Sequence, residues 1–187
     1  AAGALFPANL PAAQWNKFRA LGYSKPVTGI VYRGDPRPVS GVPLGGIDTG
    51  CIDLESAGTW GYSSIFNHLT PRGGPINSPL LGMSVNGQTW VLTTGQTKLY
   101  DTARSNIPLG PDLVLEGVKK ANAIDYWGHY PVADLQFQTD APVSVALRAW
   151  SPFLPGDVEH SMTPGAVFEV HLKNTSRQLQ EGRLALN

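Results

Sequence analysis

Val143-Ser-Val-Ala-Leu-Arg-Ala-Trp150 is the stretch on which the fold turns. Val143, Val145, Leu147 and Ala149 share one side of it, and a period of two belongs to a β-strand with one buried face. Ala166 to Lys173 repeats the pattern. Ala166, Phe168, Val170 and Leu172 point inward there, and Val167, Glu169, His171 and Lys173 point away. Upstream, Val132 to Thr139 alternates through Val132, Leu135 and Phe137. Leu80–Val85 and Thr89–Thr94 flank Asn86-Gly87, a hairpin signal, because a type I′ turn needs positive φ at both central residues. Gln88 leaves that register open by one residue. Cys51–Leu54 and Trp60–Phe66 read as strands around the turn Ser56-Ala57-Gly58. Half-buried strands recurring at such short intervals predict a sandwich.

Composition supports an all-β chain. Gly (21) and Pro (16) make up about a fifth of the 187 residues, against about 12% on average. Inside a helix, Gly costs about 1 kcal/mol and Pro about 3. The best helix candidate is short, Pro11 to Ala20, with Trp15, Phe18 and Leu21 on one face and Gly22 as its stop. Thr94 to Lys120 is a long irregular stretch of the kind that carries function or wraps another domain. Residues 1–26 are read as an N-terminal extension with a short helix. Residues 27–187 are read as an antiparallel β-sandwich. Arg183 to Asn187 reads as a strand just begun, which predicts a longer polypeptide and a sandwich cut short at its C-terminal end.

Net charge is zero, with 14 Lys plus Arg against 14 Asp plus Glu. The basic footprint of a nucleic-acid binder is missing. No Lys/Arg cluster suits an anionic membrane, and no apolar run is long enough to span one. Cys51 is the single cysteine, so no internal disulfide forms, and its ordinary reading is a buried small hydrophobe. The chain starts without Met. A soluble protein is expected, secreted or periplasmic if a signal peptide was removed.

Few residues are placed for chemistry. His68, His129, His160 and His171 show no metal-ligand spacing, and no cofactor motif is present. His171 falls on an outer strand face and His160 in a polar loop. Gly41 to Gly50 lacks the Gly-Lys-Ser/Thr ending of a P-loop and leads into a strand, so tight turns outweigh a phosphate cradle. Ser63 and Ser64 lie outside any nucleophile elbow. Asp53 and Glu55 share a strand face at a spacing a glycosidase pair could use, though a polar outer face is the plainer reading. Trp60, Tyr62 and Phe66 would stack on sugars if exposed, and form a core face if buried.

Two segments carry a resemblance. Gly41-Val-Pro-Leu-Gly-Gly-Ile-Asp-Thr-Gly-Cys51 followed by Gly61-Tyr-Ser-Ser-Ile-Phe-Asn67 resembles the opening of glycoside hydrolase family 116, the non-lysosomal β-glucosidases (glucosylceramidases). Ala149-Trp-Ser-Pro-Phe-Leu-Pro-Gly-Asp157, then Pro164-Gly-Ala-Val-Phe-Glu-Val-His-Leu-Lys-Asn-Thr175, is similar to a later segment of that family. The family loop usually reads Gly-Ile-Gly-Thr-Gly, and Asp48 stands here at its middle glycine.

The resemblance implies an N-terminal β-sandwich that precedes an (α/α)6 catalytic domain. The glutamate nucleophile and aspartate acid/base lie in that helical domain, so no catalytic residue is carried over to this chain. A β-glucoside would be bound through the partner domain. His68, Arg72 and Asp157, in the loops Phe66–Pro79 and Pro152–Met162, are the candidates for a substrate rim or domain interface. The alternative is an independent carbohydrate-binding sandwich without catalysis.

Overall fold

Hydrogen bonding on both sides of Val143–Trp150 builds the larger of two facing sheets. The computed structural model describes residues 14–34, 41–64, 76–95, 100–101, 107–108 and 116–187. In chain order these form β1 (Gln14–Phe18), β2 (Val27–Arg33), β3 (Val42–Leu44), β4 (Ile52–Leu54), β5 (Trp60–Ser63), β6 (Leu81–Val85), β7 (Gln88–Val91), β8 (Tyr100–Asp101) and β9 (Ile107–Pro108). They continue with β10 (Val118–Lys120), β11 (Ala123–His129), β12 (Val132–Gln138), β13 (Val143–Trp150), the one-turn helix α1 (Val158–Ser161), β14 (Val167–Asn174) and β15 (Gly182–Leu186). The large sheet runs β1-β2-β11-β12-β13-β14, all antiparallel. The second runs β10-β7-β6-β15, where β10 and β7 pair in parallel. A third, β3-β4-β5, closes one end of the core, and β8 pairs with β9.

The sandwich prediction holds, and its core follows the alternation. Val143, Val145, Leu147 and Ala149 of β13 meet Ala133, Leu135 and Phe137 of β12 and Ile124 and Tyr126 of β11. Leu81, Met83, Val85 and Trp90 face them from the second sheet, with Val42, Leu44 and Leu54 from the third. Each fully buried aliphatic side chain contributes about 1.5–3 kcal/mol. The hairpin register is also settled. Val85 pairs with Gln88, leaving a two-residue turn with φ +50° at Asn86 and +82° at Gly87, as a type I′ turn requires.

The segment read as a helix over Pro11–Ala20 is a strand in its described part. Gln14–Phe18 pairs residue for residue with Val27–Val31. Trp15 is 73% exposed while Phe18 is buried, so the two do not form one helical stripe. An isolated helix this short is marginal, and docking onto the edge of β2 satisfies the backbone instead. Phe18 and Ala20 then join Val31, Trp127 and Ala146 in a second cluster on the outer face of the large sheet. Ala166, Phe168 and Val170 pack on the main core as expected, but Leu172 is 53% exposed. It lines a groove where β14 and β15, both edge strands, draw apart. Arg183–Leu186 lies within strand β15, which pairs with β6. No helix among the described residues is long and apolar enough to cross a membrane.

Candidate functional site: a junction of two loops

The two segments singled out by their sequence meet at one end of the sandwich. Gly45 N donates to Ser151 Oγ at 2.7 Å, and Ile47 N donates to Ser161 O at 2.8 Å. Gly46 packs against the Met162–Thr163 backbone so closely that a Cβ would collide. Ser151 and Ser161 are buried. A hundred residues of sequence thus separate groups that share backbone hydrogen bonds.

Each loop is also braced internally. Gly45, Asp48 and Gly50 take φ of +151°, +60° and +89°. This explains the glycine richness, and it places Asp48 in the left-handed region that glycine enters freely and aspartate tolerates. Thr49 turns back onto Gly46 O through its Oγ1 at 2.9 Å and its N–H at 3.2 Å. At the loop's entry, the Tyr126 hydroxyl accepts from Val42 N at 2.8 Å and donates to Leu54 O at 3.1 Å. Burial drives the pKa of that phenol above its ordinary value and keeps it a donor.

In the second loop Asp157 is the N-cap of α1. Its Oδ1 accepts from His160 N at 3.1 Å and its Oδ2 lies 2.8 Å from His160 Nδ1. An N-cap of this kind is worth about 1 kcal/mol. The Ser161 hydroxyl accepts from Leu154 N at 2.9 Å and lies 2.6 Å from Asp157 O, pinning the loop across its base.

The junction borders a cleft of about 520 Å³, walled by the glycine-rich loop with Cys51, Ser64 and Tyr130. Cys51 is half-buried there rather than a core residue, and its Sγ lies 3.2 Å from Ser64 Oγ. Ile47, Tyr130, Phe153, Leu154, Val158 and Met162 are all substantially exposed around this end. Tyr130 and Phe153 make an edge-to-face pair, with centroids 5.4 Å apart.

Glu55 does not lie on a solvated outer face, whereas Asp53 is half-buried on β4. Glu55 is 4% exposed. It lies against Gly61, where a Cβ would strike its Oε1, and near Gly41, which itself abuts Leu54 O. Its Oε2 has no hydrogen-bond partner among the described residues. Burial, reinforced by the neighbouring Asp53 charge, pushes its pKa up to about 7, against a smaller downward pull from the Gly41 N–H. Burial also raises the Asp53 pKa. The glycines that open the two halves of the first motif therefore make room for a buried carboxyl. Trp60 packs edge-on against Phe168 at 5.8 Å, and Tyr62 is 39% exposed.

A third polar group sits under β1. Asp134 accepts from Arg148 Nε at 2.6 Å and Nη2 at 2.7 Å, and lies 3.0 Å from His129 Nε2. Arg148 Nη1 donates to Leu21 O, and Phe18 and Tyr23 set their rings edge-on to His129. Burial would raise the Asp134 pKa, but the hydrogen bonds from Arg148 and His129 outweigh it and hold the carboxyl below its ordinary value. Asp134 and Arg148 are directly paired across β12 and β13. Their mark in the sequence is a lone charged residue on the non-core side of each apolar strand.

Of the three predicted rim residues, Asp157 lies at the junction as a cap, while His68 and Arg72 fall outside the described residues. His160 belongs to α1 rather than to an open loop. His171 is half-buried on β14, with Nε2 3.7 Å from Glu169 Oε2. Nothing in the sequence marks Tyr126, Ser151 or Ser161 individually, though they hold the junction. Ser151 lay within the quoted second segment, whereas Tyr126 had no local signal.

These features define an all-β sandwich domain whose loops gather into one polar-floored, apolar-rimmed end. The family model for the N-terminal domain of glycosyl-hydrolase family 116 (beta-glucosidase 2) matches residues 41–187, and the chain belongs to that family. No curated protein matches it.

Proposed function

We propose that this domain is the non-catalytic N-terminal sandwich of a retaining β-glucosidase acting on β-glucosides or glucosylceramide-like glycosides. In this reading an (α/α)6 domain of the same polypeptide carries the nucleophile and the acid/base. The sandwich is its scaffold and lends loops to the interface or to the rim of the sugar pocket. The observation that carries this reading is the junction of the two motif loops. Hydrogen bonds fix their shape, yet they leave Ile47, Tyr130, Val158 and Met162 facing solvent. Rigid loops with exposed apolar tips suit a docking surface better than a free one. Asp157 serves the interface by holding the second loop, and His68 and Arg72 are proposed, from the sequence alone, as further interface or rim residues.

The test is turnover. The purified 187-residue chain is expected to release no aglycone from an aryl β-glucoside above the buffer rate. Hydrolysis by the chain, abolished by Glu55→Gln or Asp53→Asn, would move catalysis into the sandwich and contradict the proposal.

A further inference from the structure

Asn86-Gly87 is the single Asn-Gly step in the sequence. It forms the tip of the β6–β7 hairpin, and both residues are exposed. The side-chain amide carbon of an asparagine is an electrophile, and the backbone nitrogen that follows it is a nucleophile. Glycine puts no side chain in the way of their approach. Apart from its chain neighbours, nothing described lies within 4 Å of where a Cβ on Gly87 would sit. Among the described residues the Gly87 N–H makes no hydrogen bond. We propose that Asn86 is a self-modification site, where deamidation to aspartate and isoaspartate unhooks strand β15 from the hairpin.

The reaction needs only water. Gly87 N attacks Asn86 Cγ, and the new C–N bond closes a succinimide ring. Nδ2 leaves as ammonia, carrying the proton that Gly87 N has lost. Water then adds to one of the two ring carbonyls, and the C–N bond of that carbonyl breaks. Opening at Cγ gives aspartate. Opening at the main-chain carbonyl gives isoaspartate, in which the backbone runs through Cβ and Cγ. Nothing is oxidised or reduced.

The native fold restrains this step. Asn86 Nδ2 donates to Gln180 Oε1 at 2.6 Å, and Asn86 Oδ1 accepts from Glu181 N at 3.3 Å. Asn86 N donates to Glu181 O at 3.0 Å. Both heteroatoms on the reacting carbon are thus held by the segment that leads into β15. Those contacts break before Gly87 N closes on the carbon, so the reaction runs through a local opening. The product cannot restore them. Aspartate has no Nδ2 to donate to Gln180 Oε1, and its carboxylate stands beside Glu181. Isoaspartate adds a backbone carbon to a two-residue turn whose φ of +50° and +82° set the hairpin register. Among the described strands β15 pairs only with β6, and Leu184 in the groove beside it is already 41% exposed. Loss of the Asn86 contacts therefore loosens an edge strand that has no second neighbour to hold it.

The site is independent of the docking proposal, and either can fail alone. The test is incubation of the full chain at neutral pH and physiological temperature, native and in denaturant. Peptide mapping by mass spectrometry and an isoaspartate assay follow the product. Conversion at Asn86 is expected to outpace that at Asn77, Asn122 and Asn174 in both states, and to run at least about tenfold slower in the native chain. Gln180→Ala removes the partner of Nδ2. It should speed the native reaction several-fold and leave the denatured rate unchanged. Hydrogen exchange in the aged chain should quicken across Gly182–Leu186 while β12 stays protected. Asn86→Asp, made directly, should show a smaller rise in the same strand, because Asp-Gly still suits the turn. No conversion at Asn86, equal rates in native and denatured chains, a native rate untouched by Gln180→Ala, or unaltered exchange in β15 would overturn the inference.

Discussion

Glu55 and Asp134 are the two buried acids whose ionisation the fold biases most clearly, and it biases them in opposite directions. Glu55 is raised from 4.5 to about 7, so the native state holds its proton more tightly than the unfolded chain across that interval. By linkage, its contribution to stability falls as pH rises from 4.5 to about 7 and is constant above. Asp134 is lowered from 3.8. Its contribution is full above 3.8 and is lost as pH falls through its native value. Glu55→Gln keeps the shape and removes the charge. It should raise stability at pH 8 by about 3 kcal/mol, with little change at pH 4, and should leave the acid limb from Asp134 intact. Denaturant melts from pH 3 to 8 check this, and identical slopes in both proteins between 4.5 and 7 would refute it. None of this was legible in the sequence. Two acids two residues apart mark a strand face, but the burial of Glu55 comes from glycines at 41 and 61 and from a tyrosine 71 positions beyond it.

Among the strands, legibility followed burial on one face. β13, β14 and the β6–β7 hairpin stood out because one side of each is apolar and the other polar, or because Asn86-Gly87 dictates the turn. β11 and β12 sit mid-sheet, covered on both faces, and buried strands lose their alternation. β12 carries buried residues at six successive positions, and β11 goes unmarked by pattern in the sequence. β1 reads as a helix in the sequence because Trp15, Phe18 and Leu21 fall at helical spacing, while the partner that makes Gln14–Phe18 a strand lies in Val27–Val31. Inward direction was also no guarantee of burial, as Leu172 shows. Leu147 is fully buried in the centre of the sheet and Leu172 is half in solvent at its edge. Leu147→Ala should cost about 2–5 kcal/mol and Leu172→Ala less than about 1. Equal losses in chemical denaturation would mean that the β14–β15 groove is closed in solution.

At the scale of the molecule, the sandwich brings two distant motifs into one end with an exposed apolar rim. The sandwich and the motif order were legible from the chain alone. Their meeting was not, because Gly45 and Ser151 come within hydrogen-bond distance only once the strands that carry them have packed on a shared core. Local pattern cannot supply contacts of that sequence separation. Docking of this end onto a catalytic partner is what the proposed function requires. It is tested most directly by the affinity between the purified chain and a separately expressed (α/α)6 domain of the same family. One-to-one binding is expected, and Ile47→Asp and Met162→Asp, at positions 41% and 40% exposed, should each weaken it by at least about tenfold, or 1.4 kcal/mol. Binding of the same strength in both variants, or no binding by the wild-type chain, would contradict it.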